Sequence, residues 1–164
     1  MTRKKMGIGK VLLIEALVII LGLIVTLYIT LKDMTQLNLF IDFPTLIIIL
    51  LFVIPAFLSS GLQKDFLLIF KIQKKPVTIS QLRRCLESVL LMQRLILIGG
   101  LFSTFVALIT CLTHLSNLSV LGPNIAVICL SGFYTVILEF LLLPFKTYVQ
   151  LTLIEEMEID NEEK

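Results

Sequence analysis

The sequence predicts an all-α integral membrane protein with four transmembrane helices and a short cytoplasmic helical extension. Three observations carry this. First, 57% of the 164 residues are hydrophobic, only 16% are charged, and the mean hydropathy is +1.01. A soluble domain averages about 45–50% apolar and about 25% charged residues. Second, four apolar runs reach the length of about 20 helical residues that a hydrocarbon core of about 30 Å requires. Their expected bounds are 11–31, 43–62, 95–115 and 123–145. Third, four spans put 13 of the 14 Lys and Arg residues on one side and leave only Lys32 on the other. That asymmetry assigns both termini and the 63–94 segment to the cytoplasm.

The chain opens on a basic stretch, residues 1–10, with Arg3, Lys4, Lys5 and Lys10. The run after it, Val11 to Leu31, is broken only by Glu15. It is longer than a signal-peptide core and no small-x-small cleavage site follows, so a retained helix is expected. Residues 32–42 form a short loop. The second span begins at Phe43 with Pro44 in its first turn, where a missing N–H costs little. Pro55 is expected to kink it. Gln63 to Ile72 has the character of an interfacial helix end, with Lys64, Asp65 and Lys71 around apolar residues. Lys74-Lys75-Pro76 is a break, and Ser80 is a candidate N-cap. From there one helix is expected to about residue 115, with Leu82, Leu86, Val89 and Leu90 on one face. A turn over Leu115 to Leu121 leads to the fourth span, which starts at Gly122-Pro123. Residues 146–164 form an acidic tail, expected to be solvated.

Within the spans runs a thread of small and polar residues that gain nothing from facing lipid. On the fourth span Ser131, Thr135 and Glu139 are spaced i, i+4, i+8 and share a face, with Asn124 nearly in line. On the third, Gly99, Ser103 and Ala107 form a small-residue row beside Gly100 and Thr104. On the first, Glu15, Gly22 and Thr26 lie on one stripe. Close helix packing accounts for such a row by itself. A carboxyl inside a span is costlier and points to function.

Three segments resemble the A-subunits of flagellar stators, MotA and PomA, of the MotA/TolQ/ExbB family. LGPNIAVICLSGFYTVILEFLLLPFKTYV is similar to the last transmembrane helix of that family, through Leu121-Gly122-Pro123, Ala126-Val127, Ser131, Tyr134 and Leu143-Pro144. GGLFSTFVALITCLTHLSN is similar to its third helix, through Gly100, Thr104, Leu108 and Leu115-Ser116-Asn117. LNLFIDFPTLIIILLFVIPAFL is similar to its second, through Phe40-Ile41-Asp42, Pro44 and Leu46. The resemblance covers more than half the chain and implies a proton- or sodium-channel subunit of a motor. It implies a homopentamer around a dimer of MotB-like, single-pass partners that bring the cycling aspartate. By the resemblance Thr104 and Ser131 would line the ion path; Thr135 and Glu139, on the same helix face as Ser131, are expected to extend it. Gly99, Gly100, Ser103, Gly122, Pro123 and Tyr134 would serve helix packing and interfaces. The sequence departs from the family in four places. Leu97 stands where the family has proline, and Gly132 where it has a second threonine. The stretch from Tyr134 to Pro144 is one residue shorter, and it carries Glu139 where the family has small or amide residues. The large cytoplasmic domain between helices two and three is missing.

Other classes find no footing. There is no HExxH, GxSxG or P-loop pattern, so no enzyme is expected, and no cofactor. Cys85, Cys111, Cys129 and the one histidine, His114, lack metal-ligand spacing. A net charge of +2 gives no electrostatic footprint for nucleic acid.

Overall fold

The computed structural model describes residues 8–31, 42–72 and 77–162. The described residues form helices and no strand. The expected break at Lys74-Lys75-Pro76, nearly all of the 32–42 loop and most of the basic N-terminal stretch lie outside them.

Five helices follow in order: α1 (Ile8–Leu31), α2 (Phe43–Ser59), α3 (Gln63–Leu68), α4 (Ile79–Thr113) and α5 (Leu118–Glu162). Of these, α4 and α5 are each long and apolar enough to cross a membrane. A third span results if α2 and its bent continuation are taken together. Large apolar side chains cover the outside of α4 from Leu97 onward, including Leu101, Phe105, Ile109 and Leu112. An exposed apolar surface of this extent needs a bilayer or a partner to cover it, and the chain is a membrane protein.

At the start of α2 the N-cap Asp42 accepts no backbone amide on its side chain. The Thr45 hydroxyl donates to the Asp42 carboxylate, and Pro44 occupies the first turn. The helix runs on through Pro55, and the large change of direction comes later, at Ser60–Leu62. There the chain turns by 97° into α3 and the 3-10 turn Ile69–Lys71. Gly61, with φ of +74°, makes this corner possible, since a Cβ is strained in that conformation. The segment after the corner lies across the base of the bundle. Phe66 meets Phe57 and Phe145 with ring centroids 5.7 and 5.6 Å apart, and Ile69 is buried.

Helix α4 starts with a capping box. Thr78, not Ser80, is its N-cap: the Thr78 hydroxyl accepts the Gln81 amide while Gln81 Oε1 accepts the Thr78 amide. Gln81 three residues after Thr78 completes the reciprocal pair, and Ser80 has no such partner. At 35 residues α4 is about 52 Å long. It therefore reaches well beyond a hydrocarbon core of about 30 Å.

The turn between α4 and α5 is shorter than 115–121, and α5 longer than 123–145. His114 ends α4, and Asn117 begins α5 by accepting the Ser119 amide on its side-chain oxygen at 3.2 Å. Gly122 and Pro123 thus fall inside the helix. At the other end the acidic tail is not a separate solvated segment, because α5 continues through Pro144 to Glu162. The stripe Phe145, Val149, Thr152 and Leu153 explains this: all four are buried, and they hold the helix against the base of the bundle. The acidic residues ride on its exposed face.

The core lies at this base. Ile49 and Val53 of α2, Ile69, Cys85, Val89 and Ile96 of α4, and Leu142, Phe145 and Val149 of α5 form one apolar cluster. Cys85 sits ten residues before the expected third span. It is fully buried, and its thiol donates to the Asp65 carbonyl at 3.2 Å. Burial pushes this thiol from its ordinary 9.0 up to about 11, and the Asp65 carboxylate adds to the effect. Iodoacetamide at pH 8 is expected to label Cys85 only after unfolding. The folded state holds the neutral thiol more tightly than the unfolded state does. Stability is therefore full below pH 9 and falls as the pH rises toward 11. Cys85→Ala should flatten that alkaline fall in a thermal-unfolding series.

Candidate functional site in the α4–α5 seam

α4 and α5 run antiparallel, and two polar pairings cross their seam, with a close glycine–threonine contact between them. Outermost, Thr104 and Ser131 place their hydroxyl oxygens 2.7 Å apart. The Thr104 hydroxyl also faces the Gly100 carbonyl at 2.8 Å, and the Ser131 hydroxyl the Ile128 carbonyl at 2.9 Å. Two hydroxyl protons therefore serve three contacts. When either proton turns to the other hydroxyl it leaves its own carbonyl, which keeps its helix bond. The pair has two arrangements, one for each donor, and each leaves oxygen lone pairs free.

One turn further in, Thr135 donates to the Ser131 carbonyl at 2.8 Å and is buried against Gly100. A Cβ built on Gly100 would overlap the Thr135 hydroxyl and come within 2.7 Å of its methyl and 2.8 Å of its Cβ. Only glycine admits this approach of the two helices. Next, Gln93 donates through Nε2 to Glu139 Oε2 at 3.0 Å. These two side chains line an open recess of about 240 Å³ with Leu97, Thr135, Val136, Phe140 and Leu143. Arg94, the last exposed charge on α4, marks the level at which this recess begins.

The expected path residues Thr104, Ser131, Thr135 and Glu139 therefore stand in one line along the seam. The expected packing residues divide. Gly99 faces α2, with Val53 Cγ2 3.3 Å and the Ile49 carbonyl 3.4 Å from where its Cβ would be. Gly100 faces α5. Ser103 is buried beside a second cavity, of about 170 Å³, lined also by Thr45, Thr110 and Asn124. Tyr134 is half-buried, and its hydroxyl accepts the Asp42 amide at 2.6 Å, which ties the start of α2 to α5. Gly122 has open space around it and Pro123 is exposed, so among the described residues neither packs against another helix.

Two contributors escaped the sequence reading. Gln93 sits among ordinary helix formers and shows no pattern; only its place beside the last charge, Arg94, hints that it faces inward. The Asp42–Tyr134 tie joins residues 92 apart, beyond the reach of any local rule. Among the described residues no group of His, Cys, Asp and Glu could hold a metal ion. His114 caps the end of α4, its Nδ1 2.9 Å from the Thr110 carbonyl.

Gly100→Ala is expected to cost about 1–3 kcal/mol, the range for overpacking a tight contact. Its unfolding midpoint in detergent should fall accordingly. Gly100→Ala combined with Thr135→Ala should recover part of the loss, because the hydroxyl and methyl are gone while the Cβ stays.

Comparison with known proteins returns nothing: no family model, no curated protein and no solved structure matches the chain.

Proposed function

We propose that the chain is an ion-channel subunit of a stator-type motor. In this reading it spans the bacterial inner membrane four times, with both termini in the cytoplasm. Five copies surround a dimer of MotB-like, single-pass partners, and proton or sodium flow drives rotation or force. The single observation that carries the reading is the line of Thr104, Ser131, Thr135 and Glu139 along one helix seam. A chain that needed only to anchor itself would gain nothing from four polar side chains in register there.

The chemistry asked of these residues is modest. The Thr104–Ser131 pair offers oxygen lone pairs that can replace part of an ion's hydration shell or pass a hydrogen bond along. Its two arrangements let it do so without breaking helix bonds. Glu139, held in place by Gln93, supplies negative charge at the inner end of the line and favours a cation there. The seam contains no aspartate, so the group that binds and releases the ion in each cycle comes from the partner helix. With the large cytoplasmic domain absent, the load is something other than a flagellar rotor. The exposed Arg83, Arg84 and Glu87 are too few to replace such a domain.

A second reading has its own observation. Each hydroxyl of the seam can be satisfied by a carbonyl of its own helix, and the Gly100–Thr135 approach closes the seam between Ser131 and Glu139. A non-conducting scaffold that keeps the stator fold would look the same.

Flux separates the two. The protein is reconstituted in liposomes with a neighbouring single-pass, aspartate-bearing protein whose periplasmic plug is deleted. Proton or sodium flux is expected, and Thr104→Val and Ser131→Val should each lower it about tenfold or more, with assembly by native mass spectrometry unchanged. Tenfold corresponds to about 1.4 kcal/mol at the barrier. Flux that ignores both substitutions removes the path assignment. An assembly that forms with no flux at all selects the scaffold.

A further inference from the structure

The seam leaves one intramembrane carboxylate unused. Glu15 of α1 faces α5 in a separate recess, which adjoins the Gln93–Glu139 recess at Leu143. With Ile14 and Val18 it forms one wall of an open cavity of about 490 Å³, and Pro144, Tyr148 and Leu151 of α5 form much of the other. The volume lies within the range of about 300–1,000 Å³ that is usual for small-molecule sites. Glu15 Oε2 is buried and has no hydrogen-bond partner among the described residues. A buried carboxylate oxygen without a donor is costly, and such a group calls for an explanation. A similar α1 stripe without the acid would pack as well or better, so helix packing does not supply one.

We propose that this cavity is a binding site for an amphipathic cation: a single apolar chain ending in an ammonium group, with the ammonium on Glu15. Two features select that chemistry. The walls are mostly apolar and accept a hydrocarbon body. The orphan oxygen accepts from an N–H donor, and a charge-assisted bond of that kind is the strong class. Water alone is a poor occupant, because a buried water needs two to four polar partners. Of the hydroxyls that line the cavity, that of Thr147 already donates to the Leu143 carbonyl at 3.1 Å. A carboxylate or phosphate head would set two negative charges together. This inference goes beyond the seam and holds whether or not the seam conducts.

The test uses the full chain in nanodiscs of zwitterionic lipid and three probes of equal length: dodecylammonium, dodecanol and dodecanoate. Binding is read at pH 7 by native mass spectrometry and by the shift of the unfolding midpoint. The expected result is that the ammonium binds about tenfold or more tightly than the alcohol, with the carboxylate weakest, and that Glu15→Gln brings ammonium and alcohol level. A second variant, Leu151→Trp, narrows the cavity without touching the carboxylate and should weaken all three probes together. Equal binding of the three probes by the parent protein overturns the proposal. So does a Glu15→Gln protein that keeps the ammonium preference, or a Leu151→Trp protein that binds dodecylammonium as the parent does. Ion flux through the seam should be the same in Glu15→Gln and in the parent, so failure here and failure of the channel reading are told apart.

Discussion

The approach of α4 to α5 at Gly100 sets the geometry of this molecule. Where a Cβ would overlap Thr135, no other residue lets the helices come so near. Their nearness brings Thr104 within hydrogen-bond distance of Ser131 and lets Gln93 reach Glu139. It also fixes the register, because the antiparallel pairs above and below are read from this one level. Inside a bilayer there is no hydrophobic drive between helices to hold such a seam. Packing and hydrogen bonds must do so, and both are present here within two helical turns.

α2 supports the seam from one side. Gly99 turns the other face of α4 toward Ile49 and Val53, so two adjacent glycines seat two different helices. The Asp42 amide on the Tyr134 hydroxyl ties the beginning of α2 to the middle of α5. The three helices thus share a common centre, with the apolar core beneath it at the base. The division is physical: the polar contacts specify register, and the apolar cluster supplies most of the burial.

Much of this was legible in the sequence, and the reasons differ by element. The polar face of α5 was readable because Ser131, Thr135 and Glu139 follow the helical period, and the structure sets them in a line. The Gly99-Gly100 pair was readable as a close approach, but not which helix each glycine would meet. The helix ends were less legible. Ser80 looks like a cap by residue type, yet Thr78 wins because only it has Gln81 three residues on. The acidic composition of the tail hid the Phe145, Val149, Thr152 stripe, whose apolar period outweighs the charges around it. Pro55 drew attention as a kink, whereas the corner came at Gly61, where backbone freedom and not a missing N–H was needed. The order along the chain could be read; pairings such as Asp42 with Tyr134 depend on three-dimensional closure and could not.

The rings at the base have a mechanical consequence. Phe66 lies between Phe57, at the end of α2, and Phe145, midway down α5, and Phe70 meets Phe145 from the side at 5.4 Å. A piston-like slide of α5 along its axis would have to drag Phe145 past two aromatic neighbours held on a segment lying at right angles to α2. Packed aromatic contacts are lost within about an ångström of such movement. Tilting or turning of α2, α4 and α5 together keeps them. The base therefore acts as a thrust bearing: it resists axial load on α5 while leaving the bundle free to move as one piece.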